Sequence, residues 1–415
     1  MNFKGKNVAV LGFGIEGKDA AKFLKKRGAN VSILDQKYSS DYLSALQKYD
    51  IIVRSPGVYR YIPEISKIEE SGIRITSPIH IFLNEFGGVV IGVTGTKGKG
   101  TTSTLIYKIL KKAGFDVHLV GNIGKSYLGL LDKLNNKSYV VMEMSSFQLI
   151  GLTVSPDIAV VLNITSDHMD WHKDLKEYVE AKTNIVKHQK TSDWAVINKD
   201  YKTSLLFANK TKANLIYFSK NNLENDFREG LKLRGEHNLE NVAAAVTVAK
   251  ILNIKKEIIL KVVRGFKGLE HRLELVRDYK SIKFYNDSFA TGPQPTIAAI
   301  NSFSEPETLI LGGSDKGLNY TLLGKLVSKK SNVKNIILIG QIREQIKKAI
   351  NEYKNKLKII DMGKSSMDLI VKKALSITPK GGVVILSPAA ASFDMFKNYK
   401  DRGYQFKNAV SALHE

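Results

Sequence analysis

Three stretches of the chain share one outline. NVAVLGFGIEG (residues 7–17), VVIGVTGTKGKG (89–100) and ETLILGGSDKG (307–317) each run from an apolar segment into a glycine-rich turn. A continuous apolar run of this kind is a strand buried on both faces, which belongs in a parallel sheet covered by helices. Other runs keep the rhythm: VSILD and IIVRSPG before residue 88, then YVVMEMSS, IAVVLNIT and WAVINKD, then FYNDS, NIILIG and GGVVILSP. Helical patterns such as KDAAKFLKKRG lie between them. The spacing predicts an α/β protein of three domains, 1–88, 89–268 and 269–415, each on a mostly parallel sheet. Glycine turns at strand carboxyl ends place the chemistry at those sheet edges.

Composition narrows the class. The chain has 415 residues, 43% of them hydrophobic, enough for more than one core. It has no cysteine, which excludes disulfides, thiol catalysis and thiolate metal sites and suits a cytoplasmic setting. No run of 18 apolar residues is present, so membrane insertion is not expected. The opening MNFKGKNVAVLGFG enters a strand and turn directly, without the apolar region of a signal peptide. Lysine and arginine outnumber aspartate and glutamate 63 to 40, a formal net charge of +23. The lysines are spread through helical patterns (KKEIILKVV, REQIKKAI), and no RNA-binding signature with interleaved aromatics accompanies them. The charge is expected to attract anionic small molecules and not nucleic acid.

GVTGTKGKGTT, residues 92–102, has the outline of a phosphate cradle. In such a loop backbone N–H groups face the phosphates, Lys99 reaches the terminal ones and a following hydroxyl meets Mg²⁺. The strict pattern fails twice, at Val93 where it wants glycine and at Gly100 where it wants serine or threonine. The loop therefore points to a nucleoside triphosphate without naming a reaction.

Three further constellations follow strands. In LGFGIEG, Gly12, Gly14 and Gly17 have the spacing of a dinucleotide turn, with Asp35 ending the next strand. That physics serves NAD and any other nucleotide diphosphate alike. In MEMSSFQ (142–148) Glu143 ends an apolar strand, where a carboxylate is costly unless it meets a cation. NITSDHMDWH (163–172) supplies Asp167, His168, Asp170 and His172. The two histidines at i, i+4 could hold zinc or could be packed imidazoles. The phosphate loop, Glu143 and His168 each follow a strand of one sheet, which puts all three at one edge, where a phosphate-bound Mg²⁺ needs a few such ligands.

Taken in order, TGTKGKGTT, GNIG, EMSSFQ, NITSDHMD, EYVEAK, INKD, GEHNLENVAAA, HRLE and NDS resemble the Mur ligase superfamily of ATP-dependent amide ligases over essentially the whole chain. The C-terminal LSPAAASFDMFKNYKDRGYQF, with LGFGIEG, LDQ and RSPGV, is similar to the members that join D-glutamate to UDP-N-acetylmuramoyl-L-alanine. The resemblance implies a Rossmann-like UDP-binding domain, a central P-loop ATPase-like domain and a Rossmann-like C-terminal domain that takes the amino acid. It implies a monomer in cytoplasmic peptidoglycan synthesis, forming an amide through an acyl phosphate with ATP and two Mg²⁺ ions.

The same resemblance distributes roles. Lys99, Glu143, His168 and Lys182 would be catalytic. Gly95, Thr96, Lys97, Gly98, Lys99, Gly100, Thr101, Asn238, Arg272 and Asp287 would bind ATP. Gly14, Ile15, Asp35, Gln36, Ser55, Gly57, Asn122, Ser145 and Gln148 would bind the UDP substrate. Thr291, Lys316, Ser392 and Tyr399 would bind glutamate. Thr101, Glu143, His168 and a carbamate on Lys182 would hold the metals. The helical pattern EYVEAKTNIV alone puts Lys182 on the surface; its carbamylation is implied only by the resemblance. The chain also departs from the family's NDSKATN, reading NDSFATG, so Phe289 stands for a lysine and Gly292 for an asparagine. That leaves L-glutamate as an alternative to D-glutamate. A non-catalytic nucleotide-binding regulator on the same scaffold must lose the joint presence of Lys99, Glu143, His168 and Lys182. A nicotinamide oxidoreductase leaves the phosphate loop unexplained.

Overall fold

The computed structural model describes residues 1–122, 127–169 and 171–414. The chain divides into two compact units, Met1–Glu229 with Leu239–Arg264, and Gly230–Asn238 with Gly265–Glu415.

The first unit holds two parallel sheets. Strands β1 (Asn7–Leu11), β2 (Asn30–Leu34), β3 (Ile51–Arg54) and β4 (Arg74–Thr76) form one, in the order β2-β1-β3-β4. Strands β5 (Val89–Thr94), β6 (Val117–Gly121), β7 (Tyr139–Glu143), β8 (Ile158–Val161), β9 (Trp194–Asn198) and β10 (Asn214–Phe218) form the other, ordered β10-β9-β8-β5-β7-β6. The second unit carries β11 (Glu274–Tyr279), β12 (Ile282–Asn286), β13 (Glu307–Gly312), β14 (Val333–Ile339), β15 (Lys358–Gly363) and β16 (Val383–Leu386), ordered β11-β12-β16-β13-β14-β15. Only the β11–β12 pairing is antiparallel.

Three sheets and parallel pairing agree with the reading from apolar runs. The strands that reading passed over, β4, β6, β10, β11 and β15, all lie at sheet edges. An edge strand is half-covered and can keep polar residues, as β11 and β15 do, while β10 (NLIYF) is apolar but short and exposed at most positions.

In the central sheet β5 sits where the order turns back, flanked by β7 on one side and β8 on the other. Crevices at such a switch point, outside the strand carboxyl ends, are where open α/β sheets hold ligands. Register is specific: Val93 pairs with Glu143, and Thr94 with Val161. The chain then passes through Gly98 (φ +85°) into the helix Lys99–Lys112. A side chain at Gly98 would also meet Asn241 Oδ1, since a Cβ there would lie 2.2 Å from it. Glycine is thus required by both backbone conformation and space.

Candidate active site

The loop 95–98 is tied down on its outer side. Thr96 donates its N–H to the Asn163 carbonyl (2.7 Å), and its hydroxyl donates to the Thr165 carbonyl (2.9 Å). The Tyr178 hydroxyl lies 3.0 Å from the same Oγ1, and Lys97 N–H donates to Asn163 Oδ1 at 3.0 Å. Lys99 Nζ curls back inside the loop, donating to the carbonyls of Gly95 (2.9 Å) and Thr96 (3.1 Å). An ammonium held at the mouth of a helix N-terminus makes an anion site of fixed shape. Gly100 is buried and Thr101 partly buried in the first turn of the helix.

Beside Val93 the carboxylate of Glu143 is buried. Its Oε1 accepts from Asn122 Nδ2 at 2.9 Å, while its Oε2 is buried with no hydrogen-bond partner. A buried carboxylate oxygen left without a donor is costly, and a cation is what removes that cost.

Lys182 corrects the reading from helical periodicity. It is 2% exposed and not on the surface. The helix Leu175–Lys187 turns it onto the phosphate loop, where Nζ donates to the Gly95 carbonyl (3.2 Å) and Thr94 Oγ1 (3.3 Å) and sits 4.8 Å from the Tyr178 ring centre. Burial first, and then the Lys99 charge, push its pKa well below that of an ordinary lysine, against the opposing pull of Asp167 and Glu143.

The two histidines of DHMDWH part company. His168 has φ +56° and a half-exposed side chain, with Nε2 3.6 Å from Asp167 Oδ2. His172 is fully enclosed, Nδ1 3.0 Å from Glu177 Oε1 and Nε2 2.9 Å from Ser146 Oγ. Both ring nitrogens of His172 are engaged by protein groups, which leaves neither for a zinc ion shared with His168. Asp170 lies outside the described residues.

At the carboxyl edge of the first sheet, Gly14, Ile15, Asp35, Gln36, Ser55 and Gly57 line one cleft of about 500 Å³. Asp35 accepts from the N–H of Phe13 (2.6 Å) and of Lys37 (2.8 Å), two bonds that hold its pKa below the usual range. Ser55 Oγ donates to the Gly12 carbonyl at 2.7 Å. A Cβ on Gly17 would lie 2.0 Å from that same carbonyl, so the third glycine lets the helix Ile15–Lys26 begin against the turn. Ile15 is 80% exposed, an apolar surface at the cleft. Ser145 and Gln148 cap each other at the helix Ser146–Leu149, and Gln148 Nε2 donates to Glu16 Oε1 at 2.7 Å. In this arrangement Gln148 spends its amide on the protein.

The expected nucleotide residues do not all fall in one unit: Gly95–Thr101 lie in the first, Asn238, Arg272 and Asp287 in the second. Asn238 Nδ2 donates to the Arg234 carbonyl at 2.6 Å. Asp287 is enclosed, accepting from Leu273 N–H (3.1 Å) and Ser387 Oγ (2.7 Å), and burial raises its pKa to about 7 despite those bonds and the nearby Arg272 and Arg402. Arg272 lies 3.9 Å from the centre of the Phe289 ring, and Tyr399 packs edge-on to that ring at 5.1 Å. Reading the sequence missed Arg402, which is wholly buried and donates to Ser288 Oγ and to the carbonyls of Ser288, Ala390 and Ala391. It ties the turn after β12 to the turn after β16, which carry Thr291 and Ser392 respectively. Its arginine in KDRGYQF was legible, but nothing local marks it as buried. Lys316 is exposed in the turn after β13.

Residues 93–234 match the family model described as the Mur ligase middle domain. Over 99% of its length the chain is 39% identical to UDP-N-acetylmuramoylalanine–D-glutamate ligase of Acetivibrio thermocellus, covering 97% of that protein. The ligase of the same name from Ruminiclostridium cellulolyticum is 37% identical over the same shares. Among solved structures, MurF ligase from Thermotoga maritima in complex with ADP superposes with a TM-score of 0.60 at 20% identity, over 98% of this chain and 96% of that one. UDP-N-acetylmuramate-alanine ligase from the same organism gives 0.59 at 16% identity, over 98% and 99%. These two likenesses speak to the fold.

Proposed function

The chain belongs to the Mur ligase family, and on that premise we propose that it joins D-glutamate to UDP-N-acetylmuramoyl-L-alanine. It is an ATP-dependent, ADP-forming ligase of peptidoglycan synthesis. The observation that carries the detailed reading is the convergence on one sheet edge of Lys99 inside the phosphate loop, Glu143 with its unpartnered Oε2, and buried Lys182.

A carboxylate cannot expel oxide, so it must first be activated. In this reading a carboxylate oxygen of the UDP substrate attacks the γ-phosphorus of ATP, and the bond to the β,γ-bridging oxygen breaks to release ADP. The glutamate nitrogen then attacks the acyl phosphate carbon, the amine proton is lost, and inorganic phosphate leaves. Phosphoryl transfer depends on positioning and charge neutralisation. Lys99 supplies a fixed positive charge to the γ-phosphate, and the N–H groups at the start of the helix Lys99–Lys112 face the phosphates.

The donor set fits Mg²⁺. Glu143 Oε2 is the oxygen in need of a cation, and Thr101, in the first turn of the helix Lys99–Lys112, is assigned the hydroxyl ligand. Mg²⁺ is commonly held by one or two carboxylates together with substrate phosphates. An ion held there would supply positive charge against the charge that develops on the phosphates. His168, beside Asp167, is assigned to a second ion. Lys182 is assigned a carbamate, because a lysine desolvated enough to be neutral can react with CO₂ and so present two anionic oxygens in its place.

The first cleft is read as the UDP site, with Asp35 shaping the turn and Asn122 and Ser145 nearer the sugar. Thr291, Lys316, Ser392 and Tyr399 of the second unit are read as the glutamate pocket; Asn238, Arg272 and Asp287 keep the nucleotide role that the family resemblance implies. No described helix is long and apolar enough to cross a membrane, and we place the monomeric enzyme in the cytoplasm. Phosphate release measured with UDP-N-acetylmuramoyl-L-alanine, ATP and each pure enantiomer of glutamate tests the reading. Release with D-glutamate is expected; release with L-glutamate alone replaces the amino acid, and release with neither removes the substrate assignment.

A further inference from the structure

Tyr59 follows the Ser55–Gly57 turn on the rim of the first cleft. Its hydroxyl donates to Glu177 Oε2 at 2.7 Å. The other oxygen of Glu177 lies 3.0 Å from His172 Nδ1, and His172 Nε2 lies 2.9 Å from Ser146 Oγ. Four side chains thus form an unbroken hydrogen-bonded line from the loop after β3 to the turn after β7. Aromatic rings pack along it: Trp171 lies 5.0 Å from Tyr59, 4.4 Å from Phe147 and 4.7 Å from His172. The line is partly buried at Tyr59 and Glu177 and fully enclosed at His172 and Ser146, and losing a member leaves its neighbours short of a partner.

Two members of this line, Glu177 and Ser146, adjoin catalytic parts. Glu177 stands in the first turn of the helix Leu175–Lys187, beside Tyr178, whose hydroxyl meets Thr96 of the phosphate loop and whose ring lies under Lys182. Ser146 follows Ser145 and the strand that ends in Glu143. We propose that Tyr59, Glu177 and His172 form a strut through which filling of the first cleft fixes the phosphate loop and Lys182, which makes Glu177 and His172 positioning residues for the ligase reaction. The proposal rests on the reading of the cleft as the UDP site and of the loop as the ATP site. A ligand that holds the 55–59 turn in place favours the bonded form of Tyr59, and so the helix orientation that Lys182 requires. Linkage makes the effect reciprocal: ATP must then tighten the cleft ligand by the same factor.

The test uses the full chain, UDP-N-acetylmuramoyl-L-alanine and a non-hydrolysable ATP analogue with Mg²⁺, by titration calorimetry. Each ligand is titrated alone and with the other saturating. In the wild type each is expected to tighten the other on the order of tenfold. Tyr59→Phe keeps the ring and removes one bond; the ratio should fall to about one, and adding His172→Asn should lower it no further, since both changes cut one line. Full linkage in Tyr59→Phe, additive losses, or no linkage in a wild type that binds both ligands overturns the strut. Failure of the wild type to bind either ligand overturns the site reading, and the strut with it. Trp171 gives a second measurement. In a Trp194→Phe background, which leaves Trp171 as the sole tryptophan, the UDP substrate should change its emission, and Tyr59→Phe should abolish most of that change. An unaltered response in Tyr59→Phe counts against the strut even where calorimetry is limited by the variant's stability.

Discussion

Lys182 Nζ donates to the carbonyl of Gly95 at 3.2 Å, so a lysine from a distant helix closes on the glycine-rich loop from the side opposite solvent. A charged ammonium so enclosed, and so near Lys99, is unfavourable, whereas a neutral amine or its anionic carbamate suits the place. Lys182→Ala should therefore be nearly inactive and should regain part of its phosphate release when formate or acetate is supplied. A variant as active as the wild type would remove the carbamate from the mechanism. Absence of rescue, together with an unmodified amine at this position in a crystal of the liganded enzyme, would do the same.

Lys99→Ala removes the fixed charge expected at the transferring phosphoryl group. Loss of one preorganised electrostatic group costs roughly 10³-fold in turnover. The variant loses the two bonds from Lys99 Nζ to the Gly95 and Thr96 carbonyls but keeps those that tie Thr96 and Lys97 to Asn163 and Thr165, so the fold should survive. Circular dichroism unchanged alongside a collapse of phosphate release is the expected pair of results. Near-normal turnover would end the phosphate-cradle assignment.

How much of this was legible in the sequence depended on distance along the chain. The phosphate loop, Glu143 and His168 could be placed on one edge because each directly follows an apolar strand, and strand ends are local signals. Lys182 could not be placed by its own neighbourhood. Its burial is set by Thr94, Gly95 and Tyr178, and only Tyr178 lies within one helical turn of it. The pairing of His168 with His172 as metal ligands fails because Glu177 and Ser146 engage both ring nitrogens of His172, which the motif alone does not reveal. Arg402 and Glu177 escaped notice for the same reason as Lys182: their partners are the loops and helices that folding brings to them. The edge strands β11 (ELVRDY) and β15 (KIIDMG) were passed over because polar residues interrupt them, whereas β10 (NLIYF) has an apolar run that the reading did not use.

Asp287 and Glu307 give the second unit a pH signature. Burial raises each carboxyl to about 7, from ordinary values of 3.8 and 4.5. A raised acid binds its proton more tightly in the folded state, so the stability it contributes is complete below the unfolded pKa and is lost as pH rises through about 7. Thermal stability should thus fall between about pH 4 and 7 and level off above that, with a loss of order a few kcal/mol if neither group is otherwise compensated. Glu307→Gln should flatten part of that slope without changing ligase activity, because Glu307 sits at the start of β13 bonded to Lys330 and Asn332, away from the strand carboxyl ends. Asp287→Asn should flatten another part and lower activity. A wild-type melting profile that is level or rising across this window contradicts both assignments.

The last prediction concerns how glutamate is held. Phe289 brings no charge to the pocket; its ring instead carries the Arg272 guanidinium 3.9 Å from its centre. Lys316, exposed in the turn after β13, is the ammonium assigned to the amino-acid carboxylates. If it supplies most of their binding, Lys316→Ala should raise the glutamate KM steeply while the KM of the UDP substrate scarcely moves. Removing one member of a partly desolvated ion pair costs about 2–5 kcal/mol, much of it from the carboxylate left behind. Phe289→Leu should act differently. It removes the aromatic face beneath Arg272 and leaves Lys316 in place, so the loss should be near 1 kcal/mol, the scale of a cation–π contact at a partly exposed site. By its assigned nucleotide role that loss should appear in the KM of ATP more than in that of glutamate. Steady-state kinetics with each substrate varied in turn separates the two outcomes. A Lys316→Ala enzyme with an unchanged glutamate KM would move the pocket elsewhere, and a Phe289→Leu enzyme impaired chiefly toward glutamate would make the Arg272–Phe289 pair part of it.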